Sequence, residues 1–315
     1  MYLSDDGVLP KHVQRELRVL RALHHPGVVT LHRTLLRGFS VALVLEHCLT
    51  DLRHLLAALR GTPLDAAVAK AAAQQLLAAL AALHGAGFVH RDVAPSNLLV
   101  SREGALKLAD FGQARRLPGA RPLPPAALLP AGDQLGELAN GISGSGGDAA
   151  DDALTAAAPP GSLTPGACLC TRWYKAPELL FNGRDYGAGV DMWSAGCIIA
   201  ELLTGRPLFP GGSDIGMLAA QSELLGSISE ERWPGVLELP DWGKLIFEEQ
   251  APKDLGAALG PAVPPEAVQL LAGLLQYNPE LRPTAQEALR SPWFEAEPAP
   301  APPAALLAIA RQALD

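Results

Sequence analysis

The sequence predicts an α+β chain in two unequal parts, a small strand-bearing N-terminal part and a larger, mainly helical remainder. Three observations carry this. Residues 10–23 place Val13, Leu17, Leu20 and Leu23 at helical spacing, and two β-like runs, 28–35 and 41–45, follow across a turn at Gly38. From Leu52 onward, apolar residues recur in helical segments. Among these lie two short polar loops, one with Asp92 and Asn97 five positions apart, the other with Asp110 on a tight Gly112 turn.

The first helix has Asp5 or Asp6 as its candidate cap, ends at His24-His25-Pro26 and carries Glu16. The second strand runs into Glu46-His47-Cys48 and then polar Asp51. A short helix is predicted over 52–59. A long alanine-rich one follows over 65–84, with Leu76, Leu77, Leu80 and Leu83 facing inward and Gly85 as its stop. Strand-like 97–100 and 105–109 separate the two polar loops. Residues 118–166 are rich in Pro, Ala, Gly and Ser, with an acidic knot at 148–152, and read as a disordered insertion. Order resumes at TRWYKAPE, 171–178. An apolar helix over 190–203 stops at Thr204-Gly205; Asp191 near its start is a charge that needs partners. Helical segments continue to Phe294, followed by a Pro/Ala-rich tail from 295 with a short helix from Ala304.

Of the 315 residues 49% are hydrophobic, enough for a sizeable core, although much of that share is alanine. A net charge of −8 argues against general nucleic-acid binding. Cys168 and Cys170 form a C-x-C without a matching His or Cys pair, so the four cysteines read as free thiols of a reducing compartment. The N-terminus lacks the basic-then-apolar pattern of a secretory signal, and no uninterrupted apolar run reaches the roughly 18 residues of a membrane span. The expectation is a soluble intracellular chain without a membrane span.

Phosphoryl transfer needs a carboxylate to orient a hydroxyl, oxygen ligands for Mg²⁺, and fixed geometry. His90-Arg91-Asp92 with Asn97, then Asp110-Phe111-Gly112, then Ala176-Pro177-Glu178, supply these parts in the order seen in eukaryotic protein kinases, which the chain resembles. TRWYKAPE, PLFPG and NPELRP are similar to the group containing the cyclin-dependent and MAP kinases. Residues 225–250 resemble its cell-cycle-related branch, which is linked to cell-cycle progression and cilium formation. The resemblance implies a bilobal α+β kinase-like fold. Residues 1–48 would form an incomplete N-terminal lobe (helix, two strands, hinge) and 49–294 a mainly helical C-terminal lobe with the insertion at about 118–166, leaving 295–315 as a tail.

It also implies roles. Asp92 orients the substrate hydroxyl, and Asn97 and Asp110 bind Mg²⁺. Glu16 matches the glutamate that pairs with an ATP-binding lysine. Leu45 stands at the gatekeeper, Glu46 and Cys48 at the adenine-binding hinge, Asp51 near the ribose, and Leu99 under the base. Arg15, Arg91 and Arg115 match a trio that grips a phosphothreonine, with Thr164 the candidate and Ser162 second. Arg172 matches an arginine shaping the pocket after the phosphoacceptor, which implies Ser-Pro or Thr-Pro substrates. Glu178 and Arg282 match a buried ion pair, and Asp191 a brace for the catalytic loop. ATP and Mg²⁺ are the implied cofactors, protein substrates and a cyclin-like activator the implied partners, and cytoplasm, nucleus or cilium the implied location.

Two departures stand out. The glycine-rich loop and the strand bearing the ATP-binding lysine do not appear, and Lys11 sits beside the first helix rather than in their place. Weak Mg²⁺–ATP binding is expected of these 315 residues. Ala94 stands where serine/threonine kinases carry a lysine, and Ser96 supplies no replacement cation. Loss of one such charge-stabilising contact costs about 3–4 kcal/mol, or 10²–10³ in rate. A scaffold that keeps the fold with little chemistry is therefore the alternative to a serine/threonine kinase.

Overall fold

The computed structural model describes residues 9–37, 40–121, 172–184, 186–244 and 248–314. Helix α1 (Lys11–Ala22) starts at Pro10 without a side-chain cap; Asp5 and Asp6 lie outside the described residues. Strands β1 (Leu31–Arg37) and β2 (Ser40–Leu45) pair antiparallel, from Leu31 opposite Leu45 to Arg37 opposite Ser40. The first strand starts at Leu31, three residues later than the sequence suggests. Val28 and Val29 are instead drawn into the larger core, where Val28 bridges Leu108 and the Val29 amide donates to the Leu108 carbonyl at 3.0 Å.

Two apolar clusters give the chain its two parts. Leu9, Val13, Leu17 and Val41 form the small one. Val19 and Leu20, further along α1, belong to the large one, so this helix spans both.

Strand β3 (Cys48–Asp51) leads into α2 (Leu52–Ala58), and Asp65 caps α3 (Ala66–Gly85) by accepting from the Ala67 amide at 2.9 Å. Gly85 is still helical. The left-handed residue that turns the chain is Gly87, at φ +81°, where an added Cβ would lie 2.5 Å from that of Ala120. Strands β4 (Phe88–Val89), β5 (Leu98–Ser101), β6 (Leu106–Leu108) and β7 (Arg115–Arg116) follow. β3, β5 and β6 make an antiparallel sheet in that order, and β4 pairs with β7. The β4–β7 clasp encloses both polar loops between its strands.

Most of the expected insertion, from residue 122 on, lies outside the described residues, as do Ser162, Thr164, Cys168 and Cys170. Beyond it come α4 (Pro177–Leu180) and α5 (Gly189–Thr204), the latter buried from Val190 to Leu203 and ended by Gly205 at φ +73°. Helices α6 (Asp214–Leu225), α7 (Leu255–Leu259), α8 (Pro265–Leu274) and α9 (Ala285–Ala288) complete the helical part around α3 and α5. Among the described residues α3 alone could cross a membrane by length and composition, but it packs against α5, α9 and β6 as a core helix.

The Pro/Ala-rich tail is built into the fold. Its helix α10 (Pro303–Gln312) buries Leu306 and Ala310 and packs on α3 and β5. The Ala301 amide donates to the Ala67 carbonyl at 2.9 Å. Lys70, 1% exposed, donates to the carbonyls of Ala296 at 2.5 Å and Pro298 at 2.8 Å.

Candidate active site

The catalytic-loop residues follow β4, and their geometry is set from α5. Asp191, wholly buried, accepts from the amides of His90 and Arg91, both at 2.8 Å, and pairs with His84 Nε2 at 2.9 Å. Burial alone would raise the Asp191 carboxyl pKa, but the His84 hydrogen bond and charge, with His90, hold it below the usual range. Arg91 takes φ +73°, a left-handed conformation costly for a non-glycine residue. The two amides gripped by Asp191 flank that residue and keep it there.

His90 links the loops. Its Nδ1 accepts from the Asp92 amide at 3.3 Å, so Nε2 carries the proton and donates to the Ala109 carbonyl at 3.0 Å. The imidazole lies 5.0 Å from the Phe111 ring. The Ala109 amide donates to the Asn97 carbonyl at 2.9 Å, and Asn97 Nδ2 to the Asp92 carbonyl at 2.7 Å. That last bond fixes the amide with Oδ1 on the other side. Asp110, at φ +61°, accepts from the Gly112 amide at 3.3 Å with one oxygen.

Asn97 Oδ1 and the second Asp110 oxygen are hard oxygen donors that fit Mg²⁺, which would supply charge neutralisation on bound phosphates. Burial raises the Asp92 pKa, His90 opposes that, Asp110 adds to it, and Asn97 and Lys175 oppose it again; the net direction is upward.

At the hinge, Leu99 lies opposite Asp51, and Cys48 opposite Ser101. Burial and then the Glu46 charge push the Cys48 thiol up, keeping it neutral. The Glu46 carboxylate is engaged by Lys107 at 2.7 Å and by the Thr30 amide at 3.2 Å. Burial pushes its pKa upward, but these partners hold it below the usual range. Asp51 caps α2 through the His54 amide at 2.9 Å and pairs with His54 Nδ1 at 2.7 Å. Its carboxylate therefore serves the start of α2.

Glu16 sits on α1, which packs on the Phe111–Gln113 turn. Burial, then the Asp110 charge, both raise its pKa. An ionised Glu16 therefore destabilises the fold above its folded pKa, and the cost vanishes as pH falls below the unfolded value. Glu16→Gln is expected to raise the melting temperature by a few degrees at pH 7.5, with the gain closing towards pH 4. Thermal melts across that range check this; a gain independent of pH would contradict it.

The arginine trio is brought together. Arg91 has its pKa lowered by burial first; Tyr186 opposes this, and the charges of Arg115 and Arg15 add to it. Its guanidinium lies 5.0 Å over Tyr186 and donates to the Gln113 carbonyl at 3.3 Å. Arg172 is engaged with the start of α6. Its Nε meets Asp214 at 2.8 Å and its Nη1 the Gly212 carbonyl at 2.9 Å, so it fixes the start of α6. The cation of that segment whose charge reaches Asp92 is Lys175, three residues on, which the sequence reading passed over. His84 and Lys107 were missed as well; the first is betrayed only by its place in the last turn of α3.

Comparison with known proteins agrees with this geometry. A protein kinase domain model matches residues 3–126 and 156–294. Cyclin-dependent kinase 20 of Mus musculus and of Homo sapiens are each 36% identical over 303 residues, covering 96% of this chain and 75% of theirs. The solved structure of a CAK complex from Chaetomium thermophilum bound to ATP-gamma-S matches with TM-score 0.74 and 31% identity, over 95% of this chain and 81% of that one. The chain belongs to the protein kinase family, as a serine/threonine kinase of the cyclin-dependent type.

Proposed function

We propose that this chain transfers the γ-phosphate of ATP, with Mg²⁺, to serine or threonine followed by proline in protein substrates, under a cyclin-like activator and in a cell-cycle or ciliary role. The observation that supports this most is the rigid frame around Asp92. Asp191, His90 and Asn97 hold it within hydrogen-bonded contact of the metal-side residues. Asp92 accepts the substrate hydroxyl proton, while Asn97 and Asp110 hold the metal side. Arg172 fixes the loop at Gly212–Asp214 that walls the pocket after the phosphoacceptor. Arg15, Arg91 and Arg115 receive phosphorylated Thr164, with Ser162 the second candidate. Glu178 does not compete for them, since Arg282 holds both its oxygens.

The test is a peptide array with the full-length protein. Ser-Pro peptides should exceed matched Ser-Ala peptides on the order of ten-fold or more in kcat/KM. Indifference to that proline would sink the substrate reading. Thr164→Ala should lower activity, and full activity without phosphate at 162 or 164 would remove the assigned anion. The scaffold reading is favoured by Ala94; absent transfer by the full-length protein would establish it.

A further inference from the structure

We propose that the C-terminal helix α10 is a positioning element for the nucleotide, acting through the β5–β6 hairpin to hold the hinge in the shape that receives adenine. The inference rests on the kinase reading above and on the adenine positions it gives to Cys48, Asp51 and Leu99.

The hinge has little rigidity of its own. β3 is four residues long and half-buried throughout, and its register is broken between Cys48 and Thr50. A strand that short has no stability alone. What holds it is the hairpin of β5 and β6. β5 pairs with β3 at Ser101–Cys48, Val100–Thr50 and Leu99–Asp51. On β6, Lys107 reaches Glu46 at 2.7 Å. The hinge therefore takes its position from the hairpin.

The hairpin is fixed in turn from two sides. On the α3 side, Gln75 Oε1 accepts from the Leu106 amide at 2.8 Å. At the turn, Ser101 is 1% exposed; its hydroxyl accepts from the amides of Glu103 and Ala105, both at 3.2 Å, and donates to the Glu103 carboxylate at 2.9 Å. Gly104 completes this turn at φ +82°, and α10 lies directly against it. A Cβ at Gly104 would fall 2.1 Å from the Pro303 carbonyl oxygen and 2.9 Å from the Leu307 Cβ. Leu306 and Ala310 anchor α10 in the large core, where it packs on α3 and β5.

Residues 296–301 already serve the polar groups of α3 through the Lys70 and Ala67 bonds. What α10 adds is apolar cover and the contact at the hairpin. From that contact the reach is short. Leu99 precedes Ser101 by two residues, about 7 Å along an extended strand, and Asp51 is its partner. The catalytic loop is held separately, by Asp191 of α5. Loosening α10 should therefore weaken nucleotide binding and spare the chemical step.

The test uses the full-length protein. Leu306→Asp undocks α10, which is read as faster hydrogen exchange over 303–312. It should raise KM for ATP on the order of ten-fold, with kcat at saturating ATP within about two-fold of wild type. Exchange should also speed up over 48–51 and 98–108 and stay slow over 90–97. Gly104→Ala strikes the same joint from the hairpin side and should reproduce the change in KM, which keeps the test open if Leu306→Asp fails to fold. Ala308→Asp, on the exposed face of α10, should leave KM as it is. An unchanged KM with α10 undocked, or kcat falling as KM rises with faster exchange over 90–97, would overturn the inference and leave the kinase reading standing. Absent transfer by the wild-type protein would overturn the kinase reading. A fluorescent ATP analogue titrated on the same variants would then decide the inference by itself, and no binding by the wild-type protein would overturn both.

Discussion

Glu178→Ala and Arg282→Ala are each expected to lower the stability of the chain by about 3–5 kcal/mol, the usual cost of breaking a buried ion pair from one side. All five guanidinium N–H groups of Arg282 are used. Nη1 and Nη2 meet the two Glu178 oxygens at 2.6 and 2.8 Å. Nε donates to the Gln276 carbonyl at 2.7 Å, Nη1 also to Gly189 at 2.8 Å, and Nη2 also to Tyr277 at 3.0 Å. The guanidinium lies 5.1 Å from the Trp193 ring centroid, and the two charged side chains are 0% and 2% exposed. Either truncation strands a charge away from water. The double variant should therefore cost much less than the sum of the two, since the second truncation removes the orphan. Urea unfolding of the four proteins measures this, and additive losses would mean the pair does not act as a unit.

The second large effect is expected at Asp191. Asp191→Ala strands the His90 and Arg91 amides, each costing about 1–3 kcal/mol when buried and unpartnered. It also removes the partner of His84 and the restraint on a left-handed Arg91. A displacement of about 1 Å at Asp92 is enough for a rate loss on the order of 10²-fold. Both stability and kcat should therefore fall together. The folded pKa of Asp191 is depressed, so its stabilisation is present above the ordinary carboxylate range and lost as pH falls through the folded value. The stability gap between wild type and Asp191→Asn, in which the charge alone is removed, should narrow in acid. A gap that persists unchanged at low pH would contradict this role.

Much of the site could be read from order and spacing. Asp92, Asn97 and Asp110 announce themselves because metal and base chemistry restricts residue type. Asp191 does so because a charge inside an apolar helix needs partners. What local pattern could not reveal was direction. Arg172 lies in the TRWYKAPE motif, and nothing in that motif's pattern says that its side chain turns to Asp214 and the Gly212 carbonyl. Val28 and Val29 look like the start of a strand, yet their apolar surface is claimed by the other cluster. In His84-Gly85-Ala86-Gly87 either glycine could end the helix, and the packing of Ala120 against Gly87 goes with the second. Lys70 reads as a solvated charge on an alanine-rich helix until its acceptors are known.

Those acceptors also set a timetable. Lys70 and the Ala296 carbonyl are 226 residues apart, and ribosomes add about 5–20 residues per second, so roughly 10–45 s separate their synthesis. Throughout that interval α3 exists without the carbonyls that satisfy its buried ammonium and without the apolar cover of α10. The helix that passes for a membrane span by composition is thus left partly uncovered on the nascent chain for that interval. Closure of the helical part awaits synthesis of residues 296–312, which makes this stretch a natural target of chaperone capture during translation.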